Sequence, residues 1–401
     1  MSDWRQAIDG WINDHADEIR DVRRHLHAHP EPSKEEYQTT RFLAGRLEKA
    51  GIPVRIAPSG RGLVAGPPPA DGHSLVAFRA DIDALRIQDA KETPYRSSRE
   101  GITHACGHDA HAAMALGTAM ALWECRDSLP GPIPWRAIFQ PAEEIGVGAH
   151  EMVAAGAMNG VSSVIAVHVD PATAVGKVAY RAGVLTAFCQ ELQVVIQGMG
   201  GHAARPHQSI DPIGVASQFI TSVYQFVPRS VDSRDPVVVT FGSIQGGTSP
   251  NIIPEYVLLK GTIRTLGETS ARRVGERIKQ IAFGLTEASG ALIEVELRRG
   301  TDAVVNDPEV TRTCVRAAGE IVGPANLEEI PLPSMGGEDF SGYLKHAPGC
   351  LLRLGVGDPD RASPFLHSPH FDIDERALAL GARVLAHGTV LLSDASRSHR
   401  S

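Results

Sequence analysis

The chain is 401 residues long, 42% hydrophobic and 21% charged, an ordinary globular composition. That length suggests two domains, and a net charge of −8 with no dense Lys/Arg run excludes the basic face of a nucleic-acid binder. Five scattered cysteines (Cys106, Cys125, Cys189, Cys314, Cys350) without a CxxC pair form no disulfide framework and fit a reducing compartment. The N-terminus has charges every few residues and no signal-like apolar core. No apolar run reaches the ~18 residues of a membrane span. A cytoplasmic protein is expected.

Trp4, Ile8, Trp11, Ile12, Ile19, Val22 and Leu26 recur at three- and four-residue steps and predict a helix, capped by Ser2 or Asp3 and stopped by Pro30 and Pro32. A second helix is predicted from Glu35 to Ala50, ending at Gly51. PPPADG (67–72) reads as a turn-rich loop. SLVAFRA (74–80) and IPWRAIF (133–139) read as buried strands flanking the helical run ACGHDAHAAMALGTAMALWEC, and VSSVIAVHV (161–169) as a further strand ended by His168. Such alternation predicts an α/β domain: a mixed, mostly parallel sheet with helices on both faces.

From about residue 186 the order becomes strand (ELQVVIQG), helix (210–227), two strands (VVVTFGSIQGG and YVLLKGTIRT), helix (268–288) and strand (ALIEVELRR). This β-α-β-β-α-β succession is the ferredoxin-like split βαβ arrangement. α/β grammar then returns, with a helix over 308–322, the strand CLLRLGV and a helix over 375–392. The reading is a discontinuous catalytic domain of residues 1–185 and 300–401, interrupted by an inserted α+β domain of residues 186–299.

HACGHDAH (104–111) packs three histidines, a cysteine and an aspartate into eight positions. Cys106 and His108 stand at i and i+2, which in extended backbone turns both side chains to one side. A thiolate and an imidazole suit zinc, manganese or cobalt; the alternative is a helix N-terminus with incidental histidines. His104 and His111 read as neighbours of the ligands. In FQPAEE (139–144) adjacent carboxylates point apart, so one Glu can ligate while the other takes a proton from water. A solvated acidic pair opening a helix is the competing account.

His168 and, far away in FLHSPHFD, His367 extend the set. Together with Cys106, His108 and the FQPAEE pair they suffice for two ions, with the first three elements each at a strand end, where α/β sheets gather ligands. Asp81 and Asp83 are candidates to orient a ligand histidine or simply to cap a loop. In the inserted domain, the Gly-rich GMGGHAARPH carries His202, TSPNIIP holds Asn251 in a turn, and GTIRT places Arg264 on a strand. Arg264 can hold a carboxylate in bidentate fashion or serve an ordinary surface pair.

RADIDAL, HACGHDAH, FQPAEE, GGHAARPH, NIIP with GTIR, and GGEDF, in this order, resemble the metal-dependent aminoacylases, hippurate hydrolases and auxin-conjugate amidohydrolases of the co-catalytic zinc peptidases. The resemblance runs from HAHPEPSKEEYQT to HSPHFDIDE. It implies two divalent ions (Zn, Mn or Co) on Cys106, His108, Glu144, His168 and His367, with Glu143 as general base. It further implies that His202 stabilises the oxyanion from a partner subunit, that Asn251 and Arg264 place the substrate, and that the inserted domain is a lid that dimerises. The implied substrate is a small N-acyl amino acid or analogue, and the implied assembly a homodimer or higher homo-oligomer.

The pattern departs at Arg86, where proline is usual, and at Ala110 and Ala112; Arg86 and Ala112 are expected near the acyl pocket. Rival readings are hydrolysis of a non-amino-acid amide or aryl amine, a non-catalytic metal- or ligand-binding protein, and a hydrolase with Cys106 as nucleophile.

Overall fold

The computed structural model describes residues 3–68, 75–358 and 364–398. Ser2 and residues 69–74, which include most of the PPPADG loop, lie outside them. The chain divides into two compact units, one of Met1–Leu185, Val304–Leu332 and Asp339–Ser401, the other of Thr186–Ala303 and Pro333–Glu338.

The first unit opens with α1 (Trp4–Asp14), α2 (Ala16–Ala28) and α3 (Tyr37–Lys49). The single N-terminal helix expected from the apolar spacing is two, broken at His15, and Asp3 caps the first by accepting from the Arg5 N–H. There follow β1 (Val54–Ile56), β2 (Leu63–Ala65), β3 (Leu75–Asp81), α4 (His108–Glu124), β4 (Trp135–Gln140), α5 (Gly148–Ala154), β5 (Val161–Ala174), β6 (Val178–Tyr180) and β7 (Gly183–Val184).

The second unit comprises β8 (Phe188–Gln197), β9 (Gly201–His202), α6 (Pro212–Phe226), β10 (Val237–Gln245), β11 (Ile252–Ile253), β12 (Tyr256–Thr265), α7 (Glu268–Ser289) and β13 (Leu292–Arg299). Its sheet order is β10-β12-β8-β13, antiparallel throughout. This is the split βαβ arrangement. Leu192, Val194 and Ile196 alternate along β8 and pack against Phe219 of α6 and Ile278 of α7, so the helices cover one face.

The chain completes the first unit with β14 (Val305–Asn306), α8 (Pro308–Val322), β15 (Leu327–Glu329), β16 (Gly349–Gly357) and α9 (Arg376–Ser398). Among the described residues, eight strands pair in the order β1-β2-β4-β3-β5-β16-β6-β15. The centre, β4-β3-β5-β16, is parallel; β1-β2, β2-β4 and β16-β6 are antiparallel, and the edge pair β6-β15 is parallel again. Alternation distributes β3 between two cores: Val76, Phe78 and Ala80 join α4 and α9, while Leu75 and Ala77 join Met152 of α5 and Phe340. Helix α4 is apolar nearly all round because it lies inside this first core.

Candidate metal centre and active site

The site is built at the carboxyl edge of the parallel strands. Asp81 ends β3, Asp83 follows it, and Glu143 and Glu144 follow β4. Cys106 precedes α4 and His108 is its first residue. The extended backbone expected between Cys106 and His108 is not what forms. Gly107 takes a left-handed φ of 85°, and a Cβ there would lie 2.4 Å from Val169 Cγ2. The two side chains converge through that bend. Nor does His168 end its strand; β5 continues to Ala174.

Five of the proposed site residues come together with ligand atoms at metal-binding separations. Cys106, His108 and His168 form one group with atoms within 4.8 Å of one another, and Cys106, Glu144 and His367 form a second. Cys106 Sγ belongs to both, and lies 3.6 Å from His168 Nε2. Glu144 Oε1 is 3.8 Å from His108 Nε2 and 3.5 Å from His367 Nε2. Glu143 is adjacent, its Oε2 4.0 Å from His108 Nε2.

The surroundings fix which atoms face inward. His108 Nδ1 lies 2.9 Å from the Asp83 carbonyl and 3.1 Å from Asp83 Oδ1, two acceptors that place a proton on Nδ1. Among the described residues its Nε2 is buried without a hydrogen-bond partner, as is Glu144 Oε1. His168 Nδ1 likewise donates to the Val169 carbonyl at 2.7 Å and leaves Nε2 toward Cys106. Orphaned buried polar atoms are costly unless something engages them, and these converge with a thiol. The donor set fits a borderline divalent cation.

Electrostatics point the same way. Burial alone would lower the proton affinity of His108, but the Asp81 carboxylate first, and then Asp83, hold it well above the usual histidine range. The site thus favours a cation on Nε2, whether a proton or a metal ion. Burial, reinforced by the Arg353 guanidinium, holds His168 well below that range. Burial pushes the Cys106 thiol up, and a bound cation reverses this.

A second layer of buried charge locks these groups; of it the sequence reading named Asp81 and Asp83 as orienting carboxylates and His111 as a neighbour of the ligands. Asp83 Oδ2 accepts from the Glu144 N–H at 3.1 Å and from Ser33 Oγ at 2.7 Å. Arg79 donates to Asp81 at 2.6 Å, to Gln140 at 2.8 Å and to Asp339 at 2.9 Å. Asp339 also accepts from Gln140 and from the Ala149 N–H, while its own N–H donates to Glu143 Oε1 at 3.3 Å. His111 Nε2 accepts from the Val169 N–H, so its proton sits on Nδ1, 2.5 Å from Asp81 Oδ1. Arg23 donates to Asp109 at 2.8 Å and to Asp372 at 2.7 Å, tying α2 and α4 to the segment that carries His367. The signal in the sequence was charge inside apolar strings, Arg79 in LVAFRAD above all.

His202, Asn251 and Arg264 belong to the second unit. His202 and Asn251 share the small ribbon β9-β11, where Ile252 pairs with His202 and the Asn251 carbonyl accepts from the Ala203 N–H. His202 is exposed and its Nδ1 accepts from the Ala204 N–H, which leaves the proton on Nε2. Arg264 lies at the far end of β12 from the turn that carries Asn251, and its Nη1 donates to the Met335 carbonyl. Within this unit Arg264 is therefore not brought to His202. Of the two residues expected near the acyl pocket, Ala112 is fully buried in the α4 core and Arg86 is exposed and paired with Glu35.

Fold and site define an α/β enzyme of the metal-dependent amidohydrolase class. Residues 77–388 match the model of Peptidase family M20/M25/M40, and the chain belongs to that family. It is 38% identical over 381 residues to an N-acetyl-L-cysteine deacetylase of Bacillus subtilis, covering 94% of this chain and 89% of the relative. It is 37% identical over 383 residues to IAA-amino acid hydrolase ILR1-like 4 of Arabidopsis thaliana, covering 93% and 85%. The crystal structure of the Bacillus subtilis YXEP protein, a dinuclear metal binding peptidase of the M20 family, superposes with a TM-score of 0.80 at 32% identity over 95% of this chain and 99% of that one. No helix among the described residues is long and apolar enough to cross a membrane.

Proposed function

We propose that the chain hydrolyses the amide bond of small N-acyl amino acids, of the hippurate, N-acetyl or aryl-acyl type, with Glu143 as general base. The observation that carries this is the sharing of Cys106 Sγ between two ligand groups, with the Glu143 carboxylate beside them. The names of the deacetylase and the IAA-amino acid hydrolase support the substrate class. Cys106, His108, Glu144, His168 and His367 would hold two divalent ions (Zn, Mn or Co). Such ions lower the pKa of a water toward neutrality and polarise an amide carbonyl.

Glu143 does the proton work. Its carboxylate, fixed by the Asp339 N–H, accepts the proton of the attacking water and delivers it to the departing amine nitrogen. Exposed and carrying its proton on Nε2, His202 is suited to donate to the oxyanion from a partner subunit, a contribution of a few kcal/mol. Asn251 and Arg264 place the substrate, and the second unit acts as a lid and as the contact of a homodimer. The five free cysteines support work in a reducing, cytoplasmic compartment.

The test is amine release from hippurate, N-acetyl amino acids and indole-acetyl conjugates, before and after chelation, after Mn or Zn is restored, and with Glu143→Ala. Metal-restored turnover that Glu143→Ala abolishes is the expected result. Metal binding with no turnover of any member overturns the substrate class. Activity that survives chelation and is lost on thiol alkylation overturns the mechanism in favour of Cys106 as nucleophile.

A further inference from the structure

Arg353 lies on β16, paired with His168 of β5 on one side and with Ala179 of β6 on the other. Residues paired across a sheet project to the same face, and neighbouring strands are about 4.8 Å apart. The guanidinium therefore leaves the sheet beside the His168 imidazole, on the face from which that imidazole reaches Cys106. Ala179 presents only a methyl group on the other flank.

A half-buried guanidinium ordinarily has an internal partner. In this unit the buried Arg23 and Arg79 hold carboxylates, and the half-buried Arg136 and Arg181 hold backbone carbonyls. Arg353 is half-buried as well, yet its side chain has no hydrogen bond or ion pair among the described residues. The carboxylates nearest in the sheet are committed elsewhere. Asp81 is held by Arg79 and His111, and Asp170 by the Ala172 N–H and Thr173 Oγ1. A cation beside a cation-binding site, with no anion of its own among the described residues and with its nitrogens open to solvent, offers a position that an anionic ligand group can take.

We propose that Arg353 is a specificity-determining residue that anchors a carboxylate of the substrate. A guanidinium fork takes both oxygens of a carboxylate, and two substrate carboxylates offer that chemistry: the α-carboxylate of the amino acid and a second carboxylate on a dicarboxylic acyl group. The inference rests on the hydrolytic reading above and names what that site selects.

Three compounds separate the sources. Hippurate has only the α-carboxylate, succinyl-glycinamide only an acyl carboxylate, and hippuramide has neither. Their binding is measured by calorimetry on the metal-loaded Glu143→Gln chain, with and without Arg353→Met. One carboxylate compound should lose about tenfold or more in affinity with Arg353→Met, as loss of a charge-assisted contact implies, while hippuramide does not change. Which compound responds names the source. Carboxylate compounds that bind no better than hippuramide, or that bind equally with and without Arg353, overturn the proposal.

Should Arg353→Met not yield a folded chain, Arg353→Lys reads the same contact. It keeps the charge and loses the fork, so the responding compound weakens severalfold; an unchanged affinity overturns the anchor. Turnover of the three compounds by the wild-type and Arg353→Met chains is scored separately. Arg353-dependent binding without turnover counts against the hydrolytic reading and supports the anchor. Turnover indifferent to Arg353 does the opposite.

Discussion

Asp83 meets the His108 imidazole twice on one nitrogen, its carbonyl 2.9 Å and its Oδ1 3.1 Å from Nδ1. Both contacts leave Nε2 as the atom presented to the ligand cluster. The other carboxylate oxygen takes the Glu144 N–H, so one side chain orients two proposed ligands. Removing such a support commonly weakens metal binding about 10–100-fold. Asp83→Ala should therefore lower zinc affinity by that order in a chelator competition. An affinity equal to that of the wild type would show that the carbonyl alone orients the ring.

Glu143 and Glu144 are neighbours assigned to different work. Glu143→Gln should keep its metal content by elemental analysis while kcat falls about 10²–10⁴-fold, the range for loss of a general base. Glu144→Gln should lose metal instead. If Glu143→Gln also emptied the site, its role would be that of a ligand, and a different base would be needed.

The Arg79 guanidinium holds Asp81 and Asp339 in a buried layer: Arg79 is 3% exposed and the two carboxylates 0% and 3%. Burial alone would raise the pKa of Asp81, but Arg79 and the His108 and His111 rings hold it well below the usual carboxylate range. Arg79→Met leaves these charges uncompensated and should cost about 3–5 kcal/mol in urea unfolding. Because Asp339 carries the N–H that faces Glu143, kcat should fall further than the population of folded chain explains. A variant as stable as the wild type would refute the clamp.

Asp89 supplies the pH dependence. It is buried, and although burial alone would raise its pKa, His27, the Ser97 and Lys91 N–H groups and the Lys91 ammonium hold its carboxyl below the usual range. A depressed folded-state pKa contributes stability above the unfolded value, near 3.8, that is lost as pH falls below it. Asp89→Asn should thus cost about 1.5–3 kcal/mol at pH 7. The gap to the wild type should narrow as the pH drops below about 4. A gap that stayed constant across that range would remove the charge from the explanation.

Strand and helix positions were legible in most stretches of regular apolar spacing. VVVTFGSIQ, YVLLKGTIRT and PEVTRTCVRAAGEIV form the elements their periodicity predicts. The reading failed where local conformation overrides periodicity. His15 interrupts a helix whose apolar spacing continues across it, and Gly107 bends a segment whose i, i+2 ligands suggested extension. β5 runs on past His168 because its last residues, though no longer apolar, continue the pairing with β16.

By itself the sequence determined the kinds of atoms available to the site and the order of the elements that carry them, because ligand chemistry and hydrophobic period are local properties. Only the tertiary structure decided which nitrogen of each imidazole faces the others, that Cys106 belongs to two ligand groups, and that Arg353 stands beside His168 without a partner among the described residues. Those relations depend on contacts between distant segments, as when Arg79 meets Asp339 across 260 positions. The packed sheet brings such groups together, and no local pattern records their distance.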